Sequence, residues 1–198
     1  VWGLAKDYSQ DQVGAVSLLA RIEFAGISVG NRWHDVADFI ARRGTDTTNP
    51  FLTLQYLYAL GRTARPEAES LLNAIEARAN DPAQHDHATW RDVVLWAAHG
   101  IAAHSAGDYE DTIRFLGKAL PRLAEAGGSH AQRDLFDQIH LNALIRAGHT
   151  SRAQQVLEMR RTYDPDGIPL NRMLADVYEK SGLPDQARAA RSRLHLAK

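Results

Sequence analysis

One short polar segment contains residues that could do chemistry, the sequence GGSHAQRD at residues 127–134. His130 and Arg133 would lie at the beginning of a helix that starts after the two glycines, and a helix N-terminus is a natural place to bind an anion. Asp134 follows His130 by one helical turn, so a carboxylate–imidazole pair is a second arrangement that this spacing permits. The segment is therefore a candidate site built from His130, Arg133 and Asp134.

The same segment has a structural interpretation. Ser129 and Gln132 fit the capping box, in which each side chain accepts a hydrogen bond from the backbone N–H of the other residue. This pattern explains why the two polar residues stand three positions apart before an apolar run. The residue types therefore favour a helix cap, and a reactive or ligand-binding role for the segment remains the alternative.

Elsewhere, residues that could bind a metal or take part in catalysis lack the further residues that such a site needs. His85 and His87 flank Asp86 in a polar loop, but this group falls short of the four ligands that a structural zinc site normally has. The sequence contains no nucleophile elbow, phosphate-binding glycine loop, zinc-protease helix motif or calcium loop. We expect no metal, no other cofactor and no catalytic residue, and an enzyme is the less favoured class.

Charge and cysteine content narrow the classes of function further. The formal net charge of the 198 residues is −1, which gives no general attraction to nucleic acid or to an anionic membrane. There are no cysteines, so disulfides, thiolate metal sites and cysteine nucleophiles are excluded. No run approaches the roughly 20 apolar residues of a membrane-spanning helix. We expect a cytoplasmic protein that binds neither nucleic acid nor membrane.

The elements that must position these residues are all helices. Apolar residues recur at helical intervals between Gly-, Pro- and Asn-rich turns, and no stretch alternates as a strand would. Asp11 and Asn49 are the expected N-caps of the first and third helices, and Pro121 is expected to bend a later one. The predicted helices cover residues 11–25, 33–42, 51–60, 67–79, 90–106, 109–126, 129–147, 151–161, 169–180 and 185–196.

The helices are expected to form repeats. The segment around Trp96, Gly100 and Leu116 follows the tetratricopeptide repeat pattern, in which a small residue lets the second helix approach the first. Candidate helix-ending glycines recur at positions 26, 61, 107, 148 and 182. We predict an all-α fold, a right-handed α-α superhelix of about five antiparallel helix pairs. Residues 1–198 would form a single repeat domain.

The concave face of such a superhelix is a candidate binding surface. It is built from the first helix of each pair, and it would present amides, aromatic rings, a histidine and arginines. Groups of this kind can hold an extended peptide through its backbone or its terminal carboxylate. The residues predicted to line the face are Gln55, Tyr58, His104, Gln138, Asn142, Arg146, Arg172 and Asp176.

Three stretches resemble the tetratricopeptide repeat protein 38 family. They are SLLARIEFAGISVGNRW at 17–33, AAHGIAAHSAGDYEDTI at 97–113 and, most specifically, GGSHAQRDLFDQ at 127–138. The resemblance implies an α-helical repeat protein with no established enzymatic activity. It also implies a longer protein, about twice this length, of which this chain would be the C-terminal half. His99 and Ala103 depart from the usual repeat residues, which puts standard packing at the centre in doubt.

Three hypotheses follow for function. The first is a scaffold whose concave face binds a protein or peptide. The second is an enzyme or a small-ligand-binding protein that uses the 127–134 segment, together with His104 or His140, around a polar pocket. In the third, this part of the protein packs on a missing N-terminal half or on a second copy of itself, and an exposed apolar patch within residues 1–30 would favour that.

Overall fold

A computed structural model describes residues 5–196, and every regular element in that range is helical. The all-α prediction is confirmed. The helices are α1 (Ser9–Phe24), α2 (Arg32–Ala41), α3 (Pro50–Arg62), α4 (Glu67–Ala79), the short α5 (His87–Thr89), a π-helical turn (Trp90–Val94), α6 (Leu95–Ala106), α7 (Tyr109–Ala119), a 3-10 stretch (Leu120–Ala126), α8 (His130–Arg146), α9 (Thr150–Arg161), α10 (Ile168–Lys180) and α11 (Pro184–Leu196).

Most of the helix ends lie where the turn-forming residues place them. Asn49 caps α3 as predicted, because its side-chain oxygen accepts a 3.1 Å hydrogen bond from the Leu52 N–H, and Pro50 opens the helix. Helix α4 has the predicted bounds, and the helix after Tyr109 changes to 3-10 geometry at Leu120, beside Pro121. The predicted cap at Asp11 is wrong, since α1 begins earlier, at Ser9.

The chain contains two compact units. Residues up to His140 form unit 1 and residues from Leu141 onward form unit 2, so helix α8 begins in one and ends in the other. That the whole chain is one repeat domain stays a prediction.

Helix α3 lies at the centre of unit 1. It packs against α1 and α2 on one side and against α4 and α6 on the other, and α6 in turn packs against α4 and α7. Its residues from Thr53 to Leu60 are all buried, which is the behaviour of a helix covered all round rather than on one stripe. Each fully buried leucine of this core stabilises the fold by about 1.5–3 kcal/mol.

Gly61 does not end its helix, which corrects one of the five glycine predictions. Helix α3 continues to Arg62, and Ala64 takes the left-handed turn conformation with φ 52°. A Cβ on Gly61 would lie 2.5 Å from the Ser105 side-chain oxygen, so this glycine lets α6 approach α3. The other four glycines follow helix ends with positive φ, as predicted.

The pair α6 and α7 has the close approach that its sequence predicts. A Cβ on Gly100 would lie 2.9 Å from the backbone nitrogen of Leu116, so only glycine lets α7 come this near to α6. Leu116 is fully buried, and the Trp96 ring stacks on Phe115 with centroids 5.8 Å apart. His99, in the usual leucine place, packs on the same Phe115 ring at 5.4 Å.

A π-helical turn precedes α6, and the sequence did not predict it. Trp90 begins the turn, is fully buried and donates from its indole nitrogen to Asp86 at 2.9 Å. Arg78 of α4 binds the same carboxylate at 3.1 Å and lies 4.7 Å above the Trp90 ring. These contacts fix the polar loop between α4 and α5 to unit 1.

Unit 2 is organised around a buried asparagine of α10. The Asn171 side chain donates to the carbonyls of Pro165, at 2.8 Å, and Gly167, at 3.1 Å, and accepts from Arg193 of α11 at 2.6 Å. Asn171 is fully buried, so these bonds satisfy an amide that would otherwise cost free energy to bury. They hold the loop before α10 and the helix after it in one arrangement.

Because α7 lies so close to Gly100, adding a single methyl group at this position should destabilise the fold. We expect Gly100→Ala to lower the free energy of unfolding by about 1–3 kcal/mol, because the added Cβ would collide with backbone that cannot move cheaply. Urea denaturation measures this change.

Gly117→Ala is the matched control, since Gly117 lies inside α7 and its Cβ would meet the nearest atom at an ordinary 3.7 Å. It should be neutral or stabilising by up to about 1 kcal/mol. Equal effects of the two substitutions would contradict the packing described for α6 and α7.

Candidate functional site

The 127–134 segment forms the predicted capping box. The Ser129 N–H donates to the Gln132 side-chain oxygen at 2.8 Å, and the Gln132 N–H donates to the Ser129 hydroxyl oxygen at 3.3 Å. Arg133 turns back, and its guanidinium donates to the carbonyl oxygens of Gly127 and Gly128. Three polar side chains of the segment are thus used to build the turn and start α8.

The glycine pair is needed for packing as well as for the turn. Gly128 has φ 74°, and a Cβ there would lie 2.7 Å from the ring of Phe51. That ring also meets Phe136 of α8 edge to face, with centroids 6.4 Å apart. The beginning of α8 is therefore held against α3 by apolar contact.

Asp134 joins α8 to α1. Its carboxylate lies 3.3 Å from the guanidinium of Arg21 and accepts a 2.7 Å hydrogen bond from Gln138. Arg21 also donates to the Ala131 carbonyl at 3.0 Å and to the hydroxyl of Ser17 one turn back in α1. The local sequence pattern contains no signal for this pair, because Arg21 and Asp134 stand 113 positions apart in the chain.

His130 has a different place from its neighbours. It is the first residue of α8 and is exposed to solvent, whereas Arg133 faces the preceding turn and Asp134 faces Arg21. The three side chains therefore engage different partners. This geometry favours the structural interpretation of the segment over a reaction centre.

Two residues predicted for the binding face are buried. Gln55 and Tyr58 are each only 1% exposed, because α3 is covered by helices on both sides. Burial, with a smaller contribution from Glu23, raises the pKa of the Tyr58 phenol well above its usual value. The expectation that these two side chains lie on an exposed face is corrected, since a peptide could not reach them without opening the core.

His104 lies in an aromatic cluster that includes Tyr58 of α3. Its imidazole is half-buried, with ring centroids 6.2 Å from Phe24, 6.0 Å from Tyr58 and 5.8 Å from Tyr109. Near Tyr58 of this cluster lies an ion pair that the sequence did not predict, in which Arg62 binds both oxygens of Glu23 at 2.9 and 3.0 Å. Packing among rings gives His104 a structural role, and its place on a binding face stays a prediction.

These contacts bring together the three stretches that carry the family resemblance. Arg21 links the first stretch to the third, and Phe24 links the first to His104 of the second. The three stretches are far apart in the sequence but are in contact within unit 1.

The remaining predicted residues are accessible. Gln138 is half-buried in unit 1, and its amide already donates to Asp134. In unit 2, Asn142 is half-buried and lies one turn before Arg146 near the end of α8. Arg172 and Asp176 are exposed one turn apart on α10, and Arg146 is exposed as well.

A buried tyrosine fixes the helix that carries Arg172 and Asp176. The Tyr178 hydroxyl of α10 donates to the Glu158 carboxylate of α9. Burial, this hydrogen bond and the negative charge of Glu158 raise the pKa of Tyr178 to about 12. The same carboxylate also binds Arg161 of α9 at 3.1 Å. Glu158 thus connects α9 to α10 through its bond with Tyr178.

Two further features of residues 5–196 bear on function. No three histidine, aspartate or glutamate side chains among them are grouped as metal ligands, and Asp86, between the two loop histidines, is bound by Arg78 and Trp90. Within the same range, no helix combines the length and apolar character needed to cross a membrane.

No protein-family model matches the chain, and no solved structure matches it. The resemblance to the tetratricopeptide repeat protein 38 family therefore stays a prediction.

Arg21→Met tests the structural interpretation of the 127–134 segment. The substitution removes the ion pair with Asp134 and the bond to the Ala131 carbonyl, so we expect the free energy of unfolding to fall by about 1 kcal/mol, the ion pair being partly exposed. His130→Ala should change it by less than about 0.5 kcal/mol. A larger loss for His130→Ala than for Arg21→Met would contradict this assignment.

Tyr178 predicts a loss of stability at alkaline pH. Folding raises the pKa of this phenol, so the protonated form is favoured in the folded state and its contribution is complete below the unfolded value of 10. The contribution is lost as the pH rises from 10 to about 12. Urea denaturation across this range should show a steeper decline for the wild type than for Tyr178→Phe, and parallel declines would contradict the assignment.

Proposed function

We propose that this protein is a helical-repeat binding module that recognises an extended segment of a partner protein. In this proposal the helical hairpins stack as a right-handed superhelix, and the protein is related to the tetratricopeptide repeat protein 38 family. A cytoplasmic site of action fits the sequence without cysteines.

The packing order of unit 1 supports stacked hairpins. Helix α3 contacts both helices of the preceding pair, α1 and α2, and α6 contacts both α3 and α4. A repeat array has this property, because each unit buries its apolar face on its neighbour. In unit 2, α10 similarly packs against α9 before it and α11 after it.

Polar residues on α8 and α10 that are exposed or half-buried supply the proposed binding groups, and their spacing carries the proposal. Each helix precedes a tight glycine turn, and each presents two polar residues one turn apart, Asn142 with Arg146 and Arg172 with Asp176. These are the members of the predicted face that unit 2 contains. Gln55 and Tyr58, being buried, are no longer part of it.

The chemistry of the four residues suggests the form of the ligand. A guanidinium presents two parallel N–H donors that match a carboxylate, and an asparagine amide can both donate to and accept from a peptide backbone. Asp176 would prefer a cationic or N–H group of the ligand. We therefore propose a peptide in extended conformation that carries at least one carboxylate for Arg146 and Arg172.

A selection from a random peptide library displayed with free C-termini tests this proposal. We expect enriched peptides to carry acidic side chains or to depend on the terminal carboxylate. Binding to the Arg146→Ala/Arg172→Ala variant should weaken at least about tenfold, the loss typical for removal of a charged hydrogen bond. Fluorescence anisotropy of the selected peptides gives the affinities.

The Arg152→Ala/Arg188→Ala variant is the control, because it removes two other exposed arginines of unit 2 and the same net charge. It should bind the selected peptides as the wild type does. If both double variants lose affinity equally, only general electrostatics is involved, and if no peptide is enriched the proposal fails.

A further inference from the structure

An apolar groove lies between α1 and α2 on the surface of unit 1. Its volume is about 540 Å³. The wall formed by α1 includes Gly14, Ala15 and Leu18, and the wall formed by α2 includes Arg32 and Asp35. Leu18 is 60% exposed, and Tyr8 and Ile27, before and after α1, are 61% and 57% exposed. Leu18 is the one of these three that lines the groove, and a large apolar side chain exposed beside an apolar groove is typical of an interaction site.

Gly14 leaves an open place in the wall of this groove. Glycine inside a helix costs roughly 0.5–1 kcal/mol relative to alanine, and close packing of a neighbouring helix can offset this cost. Gly61 of α3 and Gly100 of α6 are used in this way, since a Cβ on either would collide with the neighbouring helix. Gly14 lies inside α1 with no other atom within 4 Å of its Cβ position. The groove thus offers the same kind of open place that α3 and α6 fill with a neighbour.

The open place and a projecting side chain lie one turn apart on the same helix. Leu18 follows Gly14 by four residues, which places both on one face of α1. If a second α1 packs antiparallel across a two-fold axis between these positions, Leu18 of each copy falls on Gly14 of the other. The contact forms twice, as a self-complementary interface requires. An unrelated partner would need its own matching leucine and gap.

The charges around the groove suit the same arrangement. Asp11 lies near the beginning of α1, whereas Arg32 begins α2 and so lies towards the end of α1 in the hairpin. An antiparallel two-fold brings the end of one α1 to the beginning of the other, which sets Arg32 of each copy towards Asp11 of its partner. We infer that the α1–α2 groove is the interface of a homodimer, formed by antiparallel packing of α1 on a second copy of the chain.

Sedimentation velocity of the 198-residue chain over a range of concentrations tests the inference. We expect a reversible dimer, and Leu18→Asp should raise its dissociation constant at least about tenfold, since two exposed leucines per dimer lose their contacts. Met159→Asp is the matched control, because Met159 is 66% exposed in unit 2. It should leave the dimer unchanged. A chain that stays at 21.9 kDa at every concentration, or equal effects of the two substitutions, overturns the inference.

Cross-linking gives a second readout that does not depend on the Leu18 variant. The chain has no cysteine, so Ala15→Cys introduces a single thiol. Ala15 lies between Gly14 and Leu18 on the groove wall, and the two copies of residue 15 come close to the two-fold axis, within reach of a disulfide. Oxidation should give a covalent dimer for Ala15→Cys and little for the exposed control Ser151→Cys. Equal cross-linking of both variants, or none for Ala15→Cys, overturns the inference.

Discussion

The close approach of helices through glycine is the constraint on which unit 1 depends. At Gly100 the neighbouring backbone of α7 lies where a side chain would begin, and at Gly61 the side chain of Ser105 does the same for α6 against α3. Dispersion contacts fall steeply with distance, so helices at this separation gain packing that larger residues would prevent. Because α6 is held to α3 on one side and to α7 on the other, the core forms around these contacts.

This constraint also decides what the polar residues can do. With α3 surrounded, Gln55 and Tyr58 become core residues, and the aromatic rings around His104 close that side of the unit. The 127–134 segment then serves to fasten α8, because Ser129 and Gln132 cap the helix and Asp134 binds Arg21 of α1. Ser129, Gln132 and Asp134 are thus engaged in holding the beginning of α8 in place.

Local patterns in the sequence predicted the elements well. Asparagine before proline, the S-x-x-Q box and the turn glycines act within a few residues, so their effect can be worked out without knowing the rest of the fold. The close approach at Gly100 is also predicted by the sequence, because the pattern around Trp96 and Leu116 places a small residue where two helices meet.

The failures have a common physical cause. Helical periodicity shows which residues share a face, but it does not show how many neighbours cover the helix, and α3 is covered all round. The sequence pattern therefore predicts a helix end at Gly61 and exposed side chains at Gln55 and Tyr58, whereas neighbouring helices contact or cover all three. Pairs such as Arg21 with Asp134 depend on contacts far apart in the sequence, and one sequence alone contains no signal for them.

Native-state hydrogen exchange tests most directly whether the glycine contacts of α6 hold unit 1 together. The amides of α6 and α7 around Gly100 and Leu116 should be among the slowest of unit 1 to exchange and should open only with global unfolding, because the core forms around them. Exchange of these amides at the rates of the polar loop between α4 and α5 would contradict the account.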